Sequence, residues 1–129
     1  MNFPKELRYT KTHEWARKEG HKITVGISDY AQKEISDVVF VELPKIGILG
    51  AQATAIAVVE SVKAAFDIYA PVSGKVTRAN QDLETNPALI NQDCYRLGWL
   101  FEIEMTQASD WQSLLTAEDY EKALKQDVR

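Results

Sequence analysis

The sequence has little of what most enzymes and metal proteins need. Its 129 residues include one cysteine, Cys94, and two histidines, His13 and His21. A single cysteine excludes an internal disulfide and a cysteine-based metal cluster, and two histidines do not supply the three or four converging ligands of a metal site. The Gly-x-Ser-x-Gly elbow and the glycine-rich phosphate loops are also missing. We therefore expect no catalytic residue and no bound metal.

Long apolar runs and an excess of positive charge are missing as well. The longest uncharged stretch, 46–59, has 14 residues, fewer than the roughly 17–25 of a membrane helix, and we predict a turn and a buried strand there. The net charge of −4 gives no basic footprint for nucleic acid or an anionic membrane. Residues 1–8 lack the apolar core of a signal peptide. We expect a cytoplasmic protein without nucleic-acid or membrane partners.

What is present is an ordinary globular composition, with 45% hydrophobic and 26% charged residues. The length suffices for one core, so we predict a single domain over 1–129. Many short β-rich segments between turns are typical of a sandwich or barrel. The predicted strands cover 9–17, 23–27, 38–43, 55–59, 67–70, 75–79 and 99–105. We predict one short helix capped by Ser28 and two closing helices within about 109–125, which begin at Ser109 and Thr116.

One stretch, 58–74, stands out from the rest. Two β-rich runs enclose a short connection of small residues, which predicts a hairpin over about 55–72 with Lys63 at or near its tip. A lysine there is solvated and within reach of another protein. The residues alone leave two interpretations open. Lys63 either serves solubility or is acylated by a carboxylate cofactor, which removes its charge and creates a long flexible arm.

The hairpin sequence resembles a known modification motif. The run Glu60-Ser61-Val62-Lys63-Ala64-Ala65, together with Asp-Ile-Tyr-Ala-Pro-Val-Ser-Gly over 67–74, resembles the lipoylation motif of the glycine cleavage H-protein family. Further segments look like this family and occur in its order: 12–15, 25–32, 37–44, 89–91 and 98–101. Biotin carriers typically read Met-Lys-Met where this chain reads Val-Lys-Ala. Free-standing lipoyl domains usually read Asp-Lys-Ala and lack the His-Glu-Trp segment and the closing helices.

The resemblance implies a fold and a function. The fold would be a mainly β, lipoyl-type barrel-sandwich hybrid, with a short helix after the first hairpin and two C-terminal helices. Lys63 would carry covalent lipoic acid, attached by lipoate-attaching enzymes. The lipoyl group would take an aminomethyl group from the pyridoxal-phosphate-dependent glycine decarboxylase to the aminomethyltransferase. Dihydrolipoamide dehydrogenase would then reoxidise it, and the chain itself would be a non-catalytic carrier.

The resemblance also implies a docking site for the lipoyl arm when it carries the aminomethyl group. Glu14 and Asp67 match acidic positions associated with a surface cleft into which the arm folds. A carboxylate there accepts a charge-assisted hydrogen bond from the protonated amine, and a shielded groove limits side reactions. The alternative is that Glu14 is a surface acid and Asp67 an acid beside a turn, and that both only position the hairpin.

Several positions depart from the usual family pattern. Ser36 stands where glycine is common, and Phe66 replaces a small residue beside the hairpin tip. The span 48–55 is unusually apolar. Two other functions remain as hypotheses: a relay that donates lipoyl or octanoyl groups in lipoate metabolism, and an interaction module that has lost its cofactor.

Overall fold

The structure is a computed structural model that describes residues 1–127, so the last two residues of the predicted domain lie outside it. Within that part the strands are β1 (Arg8–Tyr9), β2 (Glu14–Glu19), β3 (Lys22–Ile27), β4 (Val38–Glu42), β5 (Leu49–Gly50), β6 (Ala55–Ser61), β7 (Ala65–Tyr69), β8 (Gly74–Ala79), β9 (Phe101–Met105) and β10 (Leu115–Thr116). The helices are α1 (Asp29–Ile35), α2 (Asp82–Thr85), α3 (Leu89–Gln92), α4 (Ala108–Gln112) and α5 (Ala117–Asp127).

Antiparallel pairing arranges the strands in two sheets. The larger sheet has the order β10-β1-β2-β3-β9-β8-β5, and the smaller has the order β4-β6-β7. The two sheets do not close into a barrel. The chain is mainly β, with a short helix after the β2–β3 hairpin and two helices near its C-terminus, which confirms the expected fold class.

Period-two alternation puts one face of most strands into the core. In β3 the side chains of Ile23, Val25 and Ile27 are buried, and in β6 those of Ala57 and Val59 are buried. These residues belong to the main hydrophobic cluster, which takes in buried side chains of both sheets. The smaller sheet is therefore fixed to the larger one by apolar packing, at roughly 25 cal/mol per Å² of buried apolar surface.

A second, aromatic cluster fastens the C-terminal helix to the first strands. Its buried members are Leu7, Tyr9, Trp15, Ala117, Tyr120 and Leu124. The rings of Tyr9 and Tyr120 stack at a centroid distance of 4.7 Å. The indole N–H of Trp15 donates to the Cys94 carbonyl at 2.9 Å. Helix α5 is thus packed against the segment that leads into β2.

Two of the three predicted helix caps are present in the structure. Ser28 Oγ accepts from the Ala31 amide at 3.2 Å and caps α1, and Thr116 Oγ1 accepts from the Asp119 amide at 3.2 Å at the start of α5. The predicted cap at Ser109 is wrong. Helix α4 begins at Ala108, and the residue before it, Gln107, makes no side-chain cap.

The predicted strand over 9–17 is also wrong, because the chain turns between β1 and β2. His13 has a positive φ of 79°, and the Thr10 hydroxyl accepts from the amides of Thr12 and Glu14. Side-chain hydroxyls that bond nearby backbone groups favour turns over strand pairing. β-Propensity alone did not reveal this local competition.

Several short elements of the structure were not predicted from the sequence. Helices α2 and α3 lie between the predicted strands 75–79 and 99–105, where no element was predicted, and β5 and β10 have only two residues each. The span 46–59 is not a continuous buried segment, since Ile46 is 64% and Leu49 80% exposed. Phe66 faces inward, opposite Val59, and packs against the main cluster, so it belongs to the core side of the hairpin.

Ser36 generates a stability prediction. It ends α1 with φ 65° and ψ −154°, a region that costs side-chain-bearing residues about 1–3 kcal/mol. We expect Ser36→Gly to raise the free energy of unfolding by about 1 kcal/mol, measured by urea denaturation. Ser109→Gly inside α4 is the control and should lose about 0.5–1 kcal/mol. Equal losses for both variants would show that the Ser36 backbone is not strained.

Candidate functional site

The hairpin of β6 and β7 presents Lys63 in the connection between its strands. Glu60 pairs with Ala65 at the last rung, and the Ser61 amide donates to the Ala64 carbonyl at 2.9 Å. Val62 and Lys63 therefore form a two-residue loop, and both are exposed. We call residues 62–64 the tip. The tip is the most distal part of the smaller sheet along its strands.

Ser61 holds the tip in one conformation. Tight two-residue hairpins usually need positive φ angles in the loop, yet neither Val62 nor Lys63 has one. Ser61 Oγ instead accepts from the amides of Lys63, at 3.1 Å, and Ala64, at 3.3 Å. The Val62 amide donates to the Asp37 carbonyl at 3.0 Å. The backbone donors of the tip are therefore satisfied, and only the lysine side chain is left to reach outward.

The Lys63 ammonium group rests on the end of helix α1. Its Nζ donates to the Glu34 carbonyl at 3.0 Å in an exposed position. Carbonyls in the last turn of a helix carry partial negative charge, so this contact is favourable but weak in water. The group can leave this position at little cost in free energy.

The other residues of the predicted motif lie within the tip or directly before it. Glu60 is half-buried on the outer face of the sheet, opposite Phe40 and Ala65, whereas Ser61 is buried beneath the tip. Val62 and Ala64 are exposed on either side of Lys63. A small residue at 64 leaves one side of the lysine open.

Asp67 and Glu14 occupy different environments. Asp67 is exposed on the outer face of β7, four residues from Lys63, or about 13 Å along the strand. Glu14 begins β2 and its side chain is fully buried. The alternative in which Glu14 is a surface acid is therefore wrong. Tyr69 links the two acids, because it lies two residues beyond Asp67 on the same face and its amide donates to Glu14 Oε2 at 3.0 Å.

Three donors converge on the Glu14 carboxylate. The hydroxyls of Thr10 and Thr12 donate to Oε1, and the Tyr69 amide donates to Oε2. Glu14 belongs to the larger sheet and Tyr69 to the smaller, so the carboxylate joins the two sheets at the base of the hairpin. The sequence signal for this arrangement is the period-two spacing of Thr10, Thr12 and Glu14, whose meaning becomes clear only once the turn is known.

Burial raises the pKa of Glu14 above its ordinary value of 4.5, and the hydrogen bonds from the two threonines and Tyr69 only partly offset this. Removing the carboxylate from water penalises the charged form more than these three donors stabilise it. Glu14 is thus a buried acid whose charge is held at a net cost in free energy.

A cleft of about 330 Å³ opens beside this buried acid. Thr10, Thr12 and Tyr69, the three residues that bond Glu14, form part of its wall. On the opposite side, Gln52 Nε2 donates to Ser113 Oγ at 2.9 Å and to the Pro71 carbonyl at 3.0 Å. The cleft is predominantly apolar, with polar groups at its edge, which is the usual character of a small-ligand site.

Helix α5 supports the turn that carries Thr10 and Thr12. The Tyr120 hydroxyl shares hydrogen bonds with His13 Nδ1, at 2.8 Å, and with Ser28 Oγ, at 2.7 Å. Burial raises the pKa of Tyr120, so its hydroxyl stays protonated. No local pattern indicates this network, because Tyr120 lies 107 positions from His13 and 92 from Ser28.

The single cysteine, Cys94, is buried and forms no disulfide. Burial raises the pKa of the Cys94 thiol to about 12, so it is no thiolate nucleophile at neutral pH. Across residues 1–127 no group of three or more potential ligands is placed to hold a metal ion. None of the helices described there is long and apolar enough to cross a membrane.

Comparison with known proteins identifies the class and then the family. The class is that of mainly β domains built from two sheets, here with an exposed lysine on a two-stranded hairpin. A family model described as glycine cleavage H-protein matches residues 7–127. The chain belongs to this family.

Individual relatives agree along the full length. The glycine cleavage system H protein of Thermus thermophilus is 50% identical over 99% of this chain and 100% of its own. That of Endomicrobium trichonymphae is 51% identical over 96% of this chain and 100% of its own. The crystal structure of a glycine cleavage system H protein from Mycobacterium marinum superposes with a TM-score of 0.88 at 32% identity, covering 95% of this chain and 99% of that one.

The raised pKa of Glu14 predicts a pH-dependent effect of its replacement. Above pH 4.5 the unfolded state releases this proton more readily than the folded state, so the Glu14 contribution to stability falls as pH rises until the raised pKa is passed. Glu14→Gln removes this loss. Its stability relative to wild type should therefore increase with pH over that window, by up to about 1.4 kcal/mol per pH unit. Urea denaturation between pH 4 and pH 8 measures this difference, and a difference independent of pH would contradict the assignment.

Proposed function

We propose that this protein is the lipoyl carrier of a glycine cleavage system, with lipoic acid attached to Lys63 through an amide bond. Members of its family carry lipoate. The observation that supports the assignment to Lys63 is the tip itself. The tip contains a two-residue loop with an exposed lysine, its backbone donors are satisfied, and it lies at the distal end of a hairpin fixed to the core.

The residues at the tip fit the attachment of a lipoyl group. The Lys63 amine attacks the activated carboxyl carbon of a lipoyl donor, such as a mixed anhydride. The C–N bond forms, the bond to the leaving group breaks, and the nitrogen loses a proton to solvent. Ser61 keeps the tip in place during this step, and Lys63 only has to give up its exposed bond to the Glu34 carbonyl.

The carrier role needs no catalytic group from this chain. When bound, the lipoyl group supplies a disulfide that accepts the aminomethyl group of glycine and, after its transfer, is left as a dithiol. The glycine decarboxylase would load it, the aminomethyltransferase would unload it, and dihydrolipoamide dehydrogenase would reoxidise it. The protein contributes an arm that reaches each enzyme at high effective concentration.

Asp67 and Glu14 have distinct parts in the docking of the loaded arm. An extended lipoyl-lysine is about 14 Å long, and Asp67 lies about 13 Å from Lys63 along the strand, with Tyr69 at about 20 Å. The exposed Asp67 carboxylate therefore lies at about the distance at which an extended arm would place the protonated amine. Glu14 would become accessible to the arm if the Thr12 hydroxyl, which donates to it, moved aside; otherwise Glu14 positions the Tyr69 side of the cleft.

Modification of Lys63 is tested by intact mass. Co-expression with a lipoate-attaching enzyme and lipoate should add one lipoyl group to the wild-type protein and none to Lys63→Ala. Lys75→Ala, which removes another exposed lysine, should be modified as wild type is. An unchanged wild-type mass, while a known family member is modified in the same cells, would refute the proposal.

Docking of the arm is tested by the lifetime of the loaded form. After loading with glycine and the decarboxylase, Asp67→Asn and Glu14→Gln should release amine several-fold faster than wild type, because the shielded, charge-assisted contact is weakened. Glu104→Gln, an exposed acid on the larger sheet, is the matched control. Decay as slow as wild type in both variants would exclude a role of these acids in docking.

A further inference from the structure

The outer face of the smaller sheet carries a patch of apolar and acidic side chains beside the tip. One row across the strands is Phe40, Glu60 and Ala65, and the next is Glu42, Val58 and Asp67. Val62 lies beyond the first row, at the tip. Phe40 is 53% and Val62 67% exposed, which is unusual for large apolar residues so close together.

A β-bulge in β4 creates this exposure. Val38 pairs with Ser61 and Phe40 with Glu60, so Val39 is an extra residue without a partner. Because of the bulge, Val39 and Phe40 both point away from the core, whereas regular alternation would bury one of them. Val39 is 55% exposed. Bulges that only protect an edge strand do not need apolar side chains in solvent, since charge or proline serves that purpose better.

The charge of this face has one sign. Strands β4, β6 and β7 contain three acids, Glu42, Glu60 and Asp67, and neither lysine nor arginine. Asp37, just before β4, is also exposed. Acylation would remove the charge of Lys63 itself. A complementary partner surface is therefore apolar at its centre and basic around it.

The distance between the reacting atom and the backbone indicates which enzyme must cover the patch. Before modification the reactive nitrogen lies only about 6 Å from the Lys63 Cα. Bringing it into a concave active site therefore buries the residues around the tip. Enzymes that act on the finished arm meet its sulfur atoms about 14 Å from the backbone, and can stay clear of this face.

We propose that the patch formed by Val39, Phe40 and Val62, with its acidic surround, is the docking surface for the enzyme that acylates Lys63. This enzyme presents an apolar and basic surface around its active-site entrance. The inference rests on the proposed modification of Lys63. Phe40 is the anchor that fills an apolar pocket of the enzyme, and Glu42 and Asp37 steer the approach.

The test measures the rate of Lys63 lipoylation by a purified lipoate-attaching enzyme, with intact mass as the readout. Val39→Thr combined with Phe40→Thr keeps β-propensity and removes the apolar contact. We expect kcat/KM to fall about tenfold or more, with kcat at saturating carrier close to wild type. Leu49→Thr is the matched control, because Leu49 is 80% exposed on the larger sheet, and it should react as wild type does.

A separate variant tests the contribution of the acidic side chains around the patch. Glu42→Lys should lower kcat/KM several-fold at low salt and reduce the dependence of the rate on ionic strength. Thermal unfolding checks that each variant is folded. If the double variant does not fold, the change in kcat/KM is measured for Phe40→Thr alone and for Glu42→Lys. A change within twofold of wild type in both would then refute the docking surface.

The outcomes separate this inference from the proposed function. If wild type is not lipoylated, the proposed function fails. If wild type is lipoylated and the double variant reacts within twofold of it, the docking surface is refuted while the carrier role stands. Two other results would also refute it: normal lipoylation with slower loading by the decarboxylase, or normal lipoylation with loss of a wild-type dimer.

Discussion

The buried carboxylate of Glu14 is the interaction on which the arrangement of the site depends. It accepts hydrogen bonds from two threonines of its own turn and from the Tyr69 amide, and so ties the larger sheet to the base of the lysine hairpin. Burial makes the charge costly, as its raised pKa shows. An apolar residue would avoid that cost but could not bind three donors at once. The same bonds place Thr10, Thr12 and Tyr69 in the wall of the cleft.

The hairpin combines a rigid base with a freely reachable side chain. Its inner face packs into the main core through Val59, Ile68 and Phe66, and Ser61 satisfies the backbone donors of the tip. Motion is thereby left to the side chain of Lys63, whose weak bond to a helix carbonyl is readily exchanged. A carrier that visits several enzymes benefits from this division, because each partner meets the same backbone surface while the arm adapts.

The sequence predicted the features that depend on local pattern. Alternation indicated most strands, the Ser28 and Thr116 caps are present, and the small residues around Lys63 indicated a hairpin tip. It could not predict contacts between distant segments. The burial of Glu14 depends on Tyr69, 55 positions away, and the support of its turn depends on Tyr120 in the last helix. The exposure of both Val39 and Phe40 depends on a bulge, which is set by pairing with β6.

The carrier role is tested most directly by glycine-dependent loading. The lipoylated protein is incubated with glycine and the decarboxylase, digested, and examined by mass spectrometry of its lysine-containing peptides. The account predicts that the lipoyl group and its aminomethyl cargo both appear on Lys63 and on none of the other nine of the ten lysines. A lipoylated Lys63 that gains nothing from glycine, while another family member is loaded under the same conditions, would contradict it.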